Sequence, residues 1–191
     1  MKKIIVAGSI ILVGVLFLAG VRLWTQKPPV ALPAVPANKG TSASEFSIAS
    51  PAFANEAEIP AAFTCDGENV SPPLTISSVP EGSQSLVLIM DDPDAPDGTF
   101  THWIVMDIPP DTGEIVQGKL PEGSVAGTAS NGRPGYGGPC PASGLHRYFF
   151  TLYALDQKLG FNNQTTRGAL AQAMQGHTLG QTYFYGRYNR K

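Results

Sequence analysis

The sequence predicts a mainly β protein, an antiparallel β-sandwich with one short C-terminal helix, preceded by an N-terminal transmembrane helix. Three observations support this: apolar runs of strand length, Pro/Gly turns between them, and a long apolar stretch near the amino terminus. The 191 residues include 21 glycines and 17 prolines, which suits a fold with many connections. The near balance of 13 basic and 15 acidic residues argues against nucleic-acid binding.

Residues 1–24 have the pattern of a signal anchor. Lys2 and Lys3 precede an uncharged, mostly apolar run from Ile4 to Val21. As a helix this run would be roughly 27 Å long, close to the hydrocarbon thickness of a bilayer. The basic pair is expected to stay cytoplasmic, which makes the rest of the chain extracytoplasmic, in the periplasm or outside the cell. The alternative is a cleaved signal peptide and a secreted protein, although such segments are usually shorter.

Residues 25–44 are predicted to form a linker. Prolines at 28, 29, 33 and 36 favour an extended chain, and the Gly/Thr/Ser end favours flexibility. This segment would hold a folded domain, residues 45–191, away from a membrane.

Within that domain, apolar runs bounded by turn residues predict the strands. The predicted strands lie in Phe46–Phe53, Pro73–Val79, Ser85–Asp91, His102–Ile108, His146–Asp156 and Thr182–Tyr188.

One segment, Thr165–His177, is instead rich in helix formers. Thr165 or Thr166 is a suitable N-cap, and Gly176 is suited to end the helix. The order of many strands, one helix and a last strand predicts a helix against one edge or end of the sandwich.

The two cysteines, Cys65 and Cys140, are expected to form a disulfide, because export would place them in an oxidising compartment. Closing so long a loop would stabilise the fold by about 4 kcal/mol in the chain-entropy model. Two unlinked thiols are the alternative.

The stretch MDDPDAPDGTFTHW, Met90 to Trp103, concentrates four aspartates beside a histidine. It is not an EF-hand: counted from Asp92, the fifth position is Pro96 and the twelfth is Trp103, where calcium ligands are required. Asp91 and Asp97 fit an ordinary strand end and turn.

Metal and nucleophile chemistry have weaker support in the sequence. His102 and His146 with Asp92 or Asp94 would make a two-histidine, one-carboxylate zinc site, but no H-x-x-x-H or C-x-x-C spacing supports it. No G-x-S-x-G motif marks a nucleophilic serine. No metal or other cofactor is therefore expected.

Several motifs, in order, resemble the phosphatidylethanolamine-binding protein family, and most of all its bacterial, Raf-kinase-inhibitor-like branch. They are FTCDGENVSPPL (Phe63–Leu74), DDPDAP (Asp91–Pro96), THW (Thr101–Trp103), GYGGPCP (Gly135–Pro141) and GLHRYFFTLYALD (Gly144–Asp156). The resemblance implies an antiparallel β-sandwich with a small C-terminal helical element. It also implies a pocket at one end of the sandwich that accepts phosphate-like or carboxylate groups.

The resemblance assigns ligand-binding positions in this sequence. They are Asp92, Pro96, His102, Gly138, Pro141, His146 and Tyr148. The histidines and Tyr148 supply N–H and O–H donors to an anion. A carboxylate suits such a site if Asp92 accepts a hydrogen bond from a histidine, with His102 returning to it, because that favours the imidazolium. Anion binding is then expected to tighten as pH falls.

The sequence thus predicts a membrane-tethered, extracytoplasmic binding protein for a small anionic group, such as a lipid headgroup or a phosphorylated metabolite. Two alternatives stay open. The first is an acid–base or metal-assisted phosphoester hydrolase built on His102, His146 and the aspartates. The second is an inhibitor or interaction protein that acts on a partner enzyme. Binding is favoured over catalysis. Kinase regulation is an association from other branches of the family, and fold analogy is weak evidence for function.

Overall fold

The computed structural model of the protein describes residues 45–190. The predicted membrane helix and linker lie outside the described residues. Among residues 45–190, no helix is long and apolar enough to cross a membrane. The elements are β1 (Ser47–Ala49), β2 (Leu74–Ser77), β3 (Ser85–Asp92), β4 (Phe100–Ile108), β5 (Glu114–Ile115), β6 (Val125–Ala126), β7 (His146–Leu155), α1 (Arg167–Ala173) and β8 (Thr178–Tyr188), with a 3₁₀ turn at Ala61–Phe63.

The strands form two sheets in which every neighbouring pair is antiparallel. The smaller sheet has the order β1-β2-β5, and the larger has the order β6-β4-β3-β7-β8. β3 lies at the centre of the larger sheet, between β4 and β7. Within residues 45–190, the predicted antiparallel fold with one short helix is therefore confirmed.

The core between the sheets uses alternate residues of the central strand. Leu86, Leu88 and Met90 of β3 are fully buried and pack in one cluster with Leu74 and Ile76 of β2. This is the face that an alternating strand pattern assigns to a sandwich core.

The other residues of β3 face the helix. Val87 and Ile89 are also fully buried, in a second cluster with Leu170 and Met174 of the helical segment. The helix therefore covers the outer face of the larger sheet, whereas the sequence predicted an edge or end. Burial on both faces explains why β3 is continuously apolar.

The helix begins where the sequence predicts and ends earlier. The Thr166 hydroxyl accepts the N–H of Ala169 at 3.4 Å, which confirms Thr166 as the N-cap. The helix ends at Ala173, and Gly176 follows at a φ of +79° in the turn to β8. β8 then starts at Thr178, four residues before the predicted strand, because it pairs with β7 over the full length of that strand.

Candidate functional site

A cavity of about 410 Å³ lies at the end of the larger sheet where β3 terminates. In an antiparallel sheet, the end of one strand lies beside the starts of its neighbours. Asp92 is the last residue of β3, His146 is the first of β7, and His102 is near the start of β4. The strand order β4-β3-β7 thus brings all three side chains to one place.

Six of the seven predicted ligand-binding residues line this cavity, and the seventh, His146, forms a hydrogen bond with one of them, Asp92. The lining includes Asp92, Pro96, His102, Gly138, Pro141 and Tyr148. His146 instead holds Asp92 from the side, with 2.7 Å between its Nδ1 and Oδ2.

Asp92 is buried, with 3% of its surface exposed, and both of its carboxylate oxygens are engaged. Oδ1 accepts the backbone N–H of Asp94 at 2.8 Å, which closes the turn after β3. Oδ2 accepts Nδ1–H of His146 at 2.7 Å. A carboxylate is an acceptor only, so this bond assigns the proton of His146 to Nδ1.

His102 does not return to Asp92, so that prediction is wrong. Its Nδ1 donates to the Gly137 carbonyl at 2.7 Å, and the Gly137 N–H donates back to the His102 carbonyl at 3.0 Å. The reason is a bulge: Met90 pairs with Trp103 and Asp91 with Thr101, which leaves His102 as the extra residue. Bulges commonly re-aim a side chain in this way.

The environment of His102 favours the neutral ring. Burial lowers the pKa of His102 below its usual 6.5, and the Gly137 carbonyl and the charge of Asp92 only partly oppose this. Because a carbonyl can only accept, Nδ1 carries the proton, and Nε2 is an acceptor in the neutral ring and a donor in the imidazolium.

Tyr148 is a fully buried phenol between the two histidines. Its ring lies edge-on to His102, at 5.2 Å between centroids, and is stacked with His146 at 6.4 Å. Among the described residues its hydroxyl makes no hydrogen bond of acceptable geometry. Burial, and then the nearby Asp92 carboxylate, raise the pKa of Tyr148, so the hydroxyl remains a donor at neutral pH.

A disulfide forms part of the wall of the cavity. Cys65 and Cys140 are bonded, with 5.4 Å between their Cα atoms, which confirms the predicted pairing, and both line the cavity. The Cys65 N–H also donates to the Pro139 carbonyl at 3.1 Å.

Gly138 is required in this wall by close packing. Its N–H donates to Asn69 Oδ1 at 2.8 Å. A Cβ at Gly138 would lie 2.5 Å from that oxygen and 2.5 Å from the Phe63 carbonyl oxygen.

The remaining aspartates of the acidic stretch serve other contacts. Asp94 holds Arg147, with 2.8 Å from Nε to Oδ2 and 2.6 Å from a terminal nitrogen to Oδ1; the Arg147 hydrogen bond is the main cause of a lowered pKa at Asp94. Asp91 accepts from Thr101 and Arg167, and Asp97 is exposed. Within residues 45–190, no three His, Cys, Asp or Glu side chains are grouped to hold a metal ion.

Some lining residues were missed by the sequence reasoning. Phe100, whose ring centroid is 4.8 Å from that of His102, Asn69 and Asn131 all contribute to the cavity. Asn69 lies in the FTCDGENVSPPL motif, but an exposed asparagine in a turn carries no chemical signal of a site.

The chain is similar in sequence to several known proteins. A UPF0098 protein of Methanothermobacter thermautotrophicus is 48% identical over 144 residues, which cover 73% of this chain and 95% of that protein. A Mycobacterium tuberculosis protein that carries a lipoprotein name, LppC, is 44% identical over 149 residues, covering 77% of this chain and 74% of that protein.

A solved structure agrees with both. CT736 of Chlamydia trachomatis, described as a phosphatidylethanolamine-binding protein homologue, superimposes with a TM-score of 0.75 at 36% identity. The match covers 78% of this chain and all of that one. The profile of the phosphatidylethanolamine-binding proteins matches residues 49–189. The chain therefore belongs to the phosphatidylethanolamine-binding protein family.

Proposed function

We propose that this protein is a membrane-tethered, extracytoplasmic binding protein that holds a small anionic group, phosphate-like or carboxylate, in the cavity beside Asp92, His102 and Tyr148. The observation that carries the proposal is the Tyr148 hydroxyl, a buried donor in the cavity lining that makes no well-formed hydrogen bond among the described residues and has the Asp92 carboxylate close by. An unsatisfied buried polar group costs roughly 1–3 kcal/mol, and an acceptor oxygen of a ligand would offset that cost.

His102 supplies the second donor once it is protonated. Because Nδ1 is held by the Gly137 carbonyl, ligand contact falls to Nε2. In the neutral ring that atom repels an anion's lone pairs, whereas in the imidazolium it donates a charge-assisted hydrogen bond. Binding an anion therefore draws a proton onto His102, and affinity increases as pH falls.

Asp92 can lie beside an anion because hydrogen-bond donors partly offset the charge of its carboxylate. The Asp94 N–H and the His146 ring donate to its two oxygens, so the carboxylate positions its own loop and the stacked His146. Its negative charge also favours the protonated form of His102. Asp92 is thus a positioning residue in this account, and His102 and Tyr148 make the direct contacts.

The membrane tether is supported by residues outside the described range. The apolar run Ile4–Val21 has the length of a bilayer span, and one relative carries a lipoprotein name. Both cysteines of this chain are in the disulfide, so neither is available for a lipid, and the apolar run itself is the proposed anchor. Resistance of the full-length protein to alkaline carbonate extraction from membranes is expected. Complete release would refute the anchor.

Calorimetric titration of the full-length protein tests the binding proposal. Inorganic phosphate, phosphoethanolamine and acetate are the probes, because they separate a headgroup from a bare anion. Saturable binding of at least one probe is expected, with affinity reduced about tenfold or more in His102→Gln. The matched control is His177→Gln, since His177 pairs with Asp156 and is not among the residues lining the cavity. Absence of saturable binding to all three probes, or equal loss in both variants, would refute the proposal.

A further inference from the structure

We propose a second ligand site, separate from the cavity at Asp92, that takes the carboxylate of a short aliphatic acid. A cavity of about 200 Å³ is bounded by Asn69, Ser71, Trp103, Lys119, Leu120 and Tyr136, among others. Only Asn69 is common to the two cavities. The inference is independent of the function proposed above, because apart from Asn69 it rests on different side chains.

The main observation is the indole N–H of Trp103. The side chain belongs to the sandwich core, with 1% of its surface exposed, and Nε1 has no hydrogen-bond partner among the described residues. The neighbouring Tyr136 ring stands edge-on at 5.4 Å, but its hydroxyl donates to the Phe63 carbonyl. Trp103 lines the smaller cavity, and its indole N–H is a donor that has no acceptor oxygen or nitrogen among the described residues.

The other polar groups of this lining are also donors. Lys119 contributes an ammonium group, and Asn69 keeps its amide nitrogen because its Oδ1 accepts from Gly138. The Ser71 oxygen accepts the Gly118 N–H at 3.2 Å, which leaves the Ser71 hydroxyl proton to donate. No aspartate or glutamate is among the residues lining this cavity. Such a donor set selects an acceptor that carries negative charge.

The shape and apolar part of the lining select a small aliphatic body. Val70, Leu120 and the Tyr136 ring also line the cavity, and Leu120 is 44% exposed. The volume corresponds to about six water molecules, enough for an acid of roughly four carbons. A carboxylate with a short hydrocarbon chain therefore matches both parts of the lining.

The rim that carries Lys119 is held in place by backbone contacts. The Gly118 N–H donates to the Ser71 carbonyl at 3.0 Å, and the Lys119 N–H donates to the Val116 carbonyl at 3.0 Å. This turn keeps Lys119 and Leu120 at the mouth of the cavity, so the charged and apolar contacts are available together.

The test follows the indole N–H directly. Only Trp24 and Trp103 occur in the chain, so the full-length protein has two indole signals in a ¹H–¹⁵N spectrum, and Trp24→Phe assigns them. Butyrate is the probe, with butylammonium and 1-butanol as matched controls for the hydrocarbon chain. We expect a saturable shift of the Trp103 signal with butyrate alone. No shift, or equal shifts with butylammonium, would overturn the proposal.

Four variants separate this site from the rest of the molecule. Lys119→Gln should weaken butyrate binding about two- to fivefold, because Lys119 is exposed, and Lys158→Gln should leave it unchanged. In His102→Gln the butyrate response of Trp103 should persist. If His102→Gln abolishes the butyrate response of Trp103, the second site is refuted and the first is not. If His102→Gln loses only phosphate binding, the second site is supported. A Trp103 signal that responds to Tyr136→Leu but not to butyrate would show that the N–H serves the Tyr136 ring.

Discussion

Asp92 and His146 join the last residue of β3 to the first residue of β7 through a hydrogen bond of 2.7 Å between Oδ2 and Nδ1. His102, on the other neighbouring strand, bonds the Gly137 carbonyl instead. The two histidines are therefore not equivalent. His146 is fixed by a carboxylate, while His102 keeps a ring whose charge a ligand can change.

Asp92→Asn tests how the carboxylate acts on His102. The charge of Asp92 raises the pKa of His102 against the dominant effect of burial, so removing that charge should lower the pKa of His102 further. An asparagine can still accept the Asp94 N–H, so the loop should persist. The measurement is an NMR pH titration of the ring protons. Asp97→Asn, at an exposed position, is the control and should have no effect. An unchanged His102 titration in Asp92→Asn would contradict the account.

Tyr148→Phe separates binding from stability. Because the hydroxyl is buried without a well-formed hydrogen bond, its removal should leave the free energy of unfolding of the unliganded protein unchanged or raise it by up to about 3 kcal/mol. Phosphate affinity, by contrast, should fall about tenfold or more, since a donor to a charged oxygen is lost. Urea unfolding and calorimetry measure the two quantities, with Tyr183→Phe, at an exposed tyrosine, as control. A large loss of stability with unchanged affinity would show that the hydroxyl is structural.

The disulfide should support both the fold and the site. Replacing Cys65 and Cys140 with serine should cost about 4 kcal/mol, because the bond closes a loop with a sequence separation of 75. Phosphate affinity should also fall, since both residues line the cavity. Urea unfolding of the double variant should match that of the reduced wild-type protein. An affinity that survives reduction of the bond would separate the disulfide from the site.

Gly138→Ala tests the packing of the cavity wall. The new methyl would lie 2.5 Å from the Asn69 side chain and from the Phe63 carbonyl oxygen. We therefore expect the free energy of unfolding to fall by roughly 1–3 kcal/mol. Gly113→Ala is the matched control, because nothing lies within 4 Å of a Cβ there, and its effect should stay within about 0.5 kcal/mol. Equal thermal unfolding of the two variants would contradict the packing argument.

The strands were predictable because long apolar runs bounded by Pro and Gly have few other solutions. β5 and β6 were not, since two-residue strands carry no periodic signal. The position of the helix on the outer face of the larger sheet could not be predicted either. An apolar run such as β3 shows burial on both faces without showing which element covers each face.

The sequence predicted which residues line the cavity better than it predicted the hydrogen bonds between them. Family motifs point to Asp92, His102, His146 and Tyr148, and six of the seven predicted residues line one cavity. Which histidine meets Asp92 depends on a bulge between β3 and β4, and a bulge leaves no mark in the residue types. Asn69 lies in a turn that is distant in sequence, and its hydrogen bond with the Gly138 N–H holds it at the cavity.

The most direct test of the central claim is an NMR titration of the His102 ring with inorganic phosphate between pH 8 and pH 5. Burial lowers the pKa of the free ring, and a bound anion should raise it. Affinity should therefore increase as pH falls, by at most about tenfold per pH unit for one proton, and level off below the pKa of the free ring. We expect a saturable shift of the His102 signals and a higher His102 pKa in the complex. Ring signals and a His102 pKa that do not respond to phosphate would contradict it.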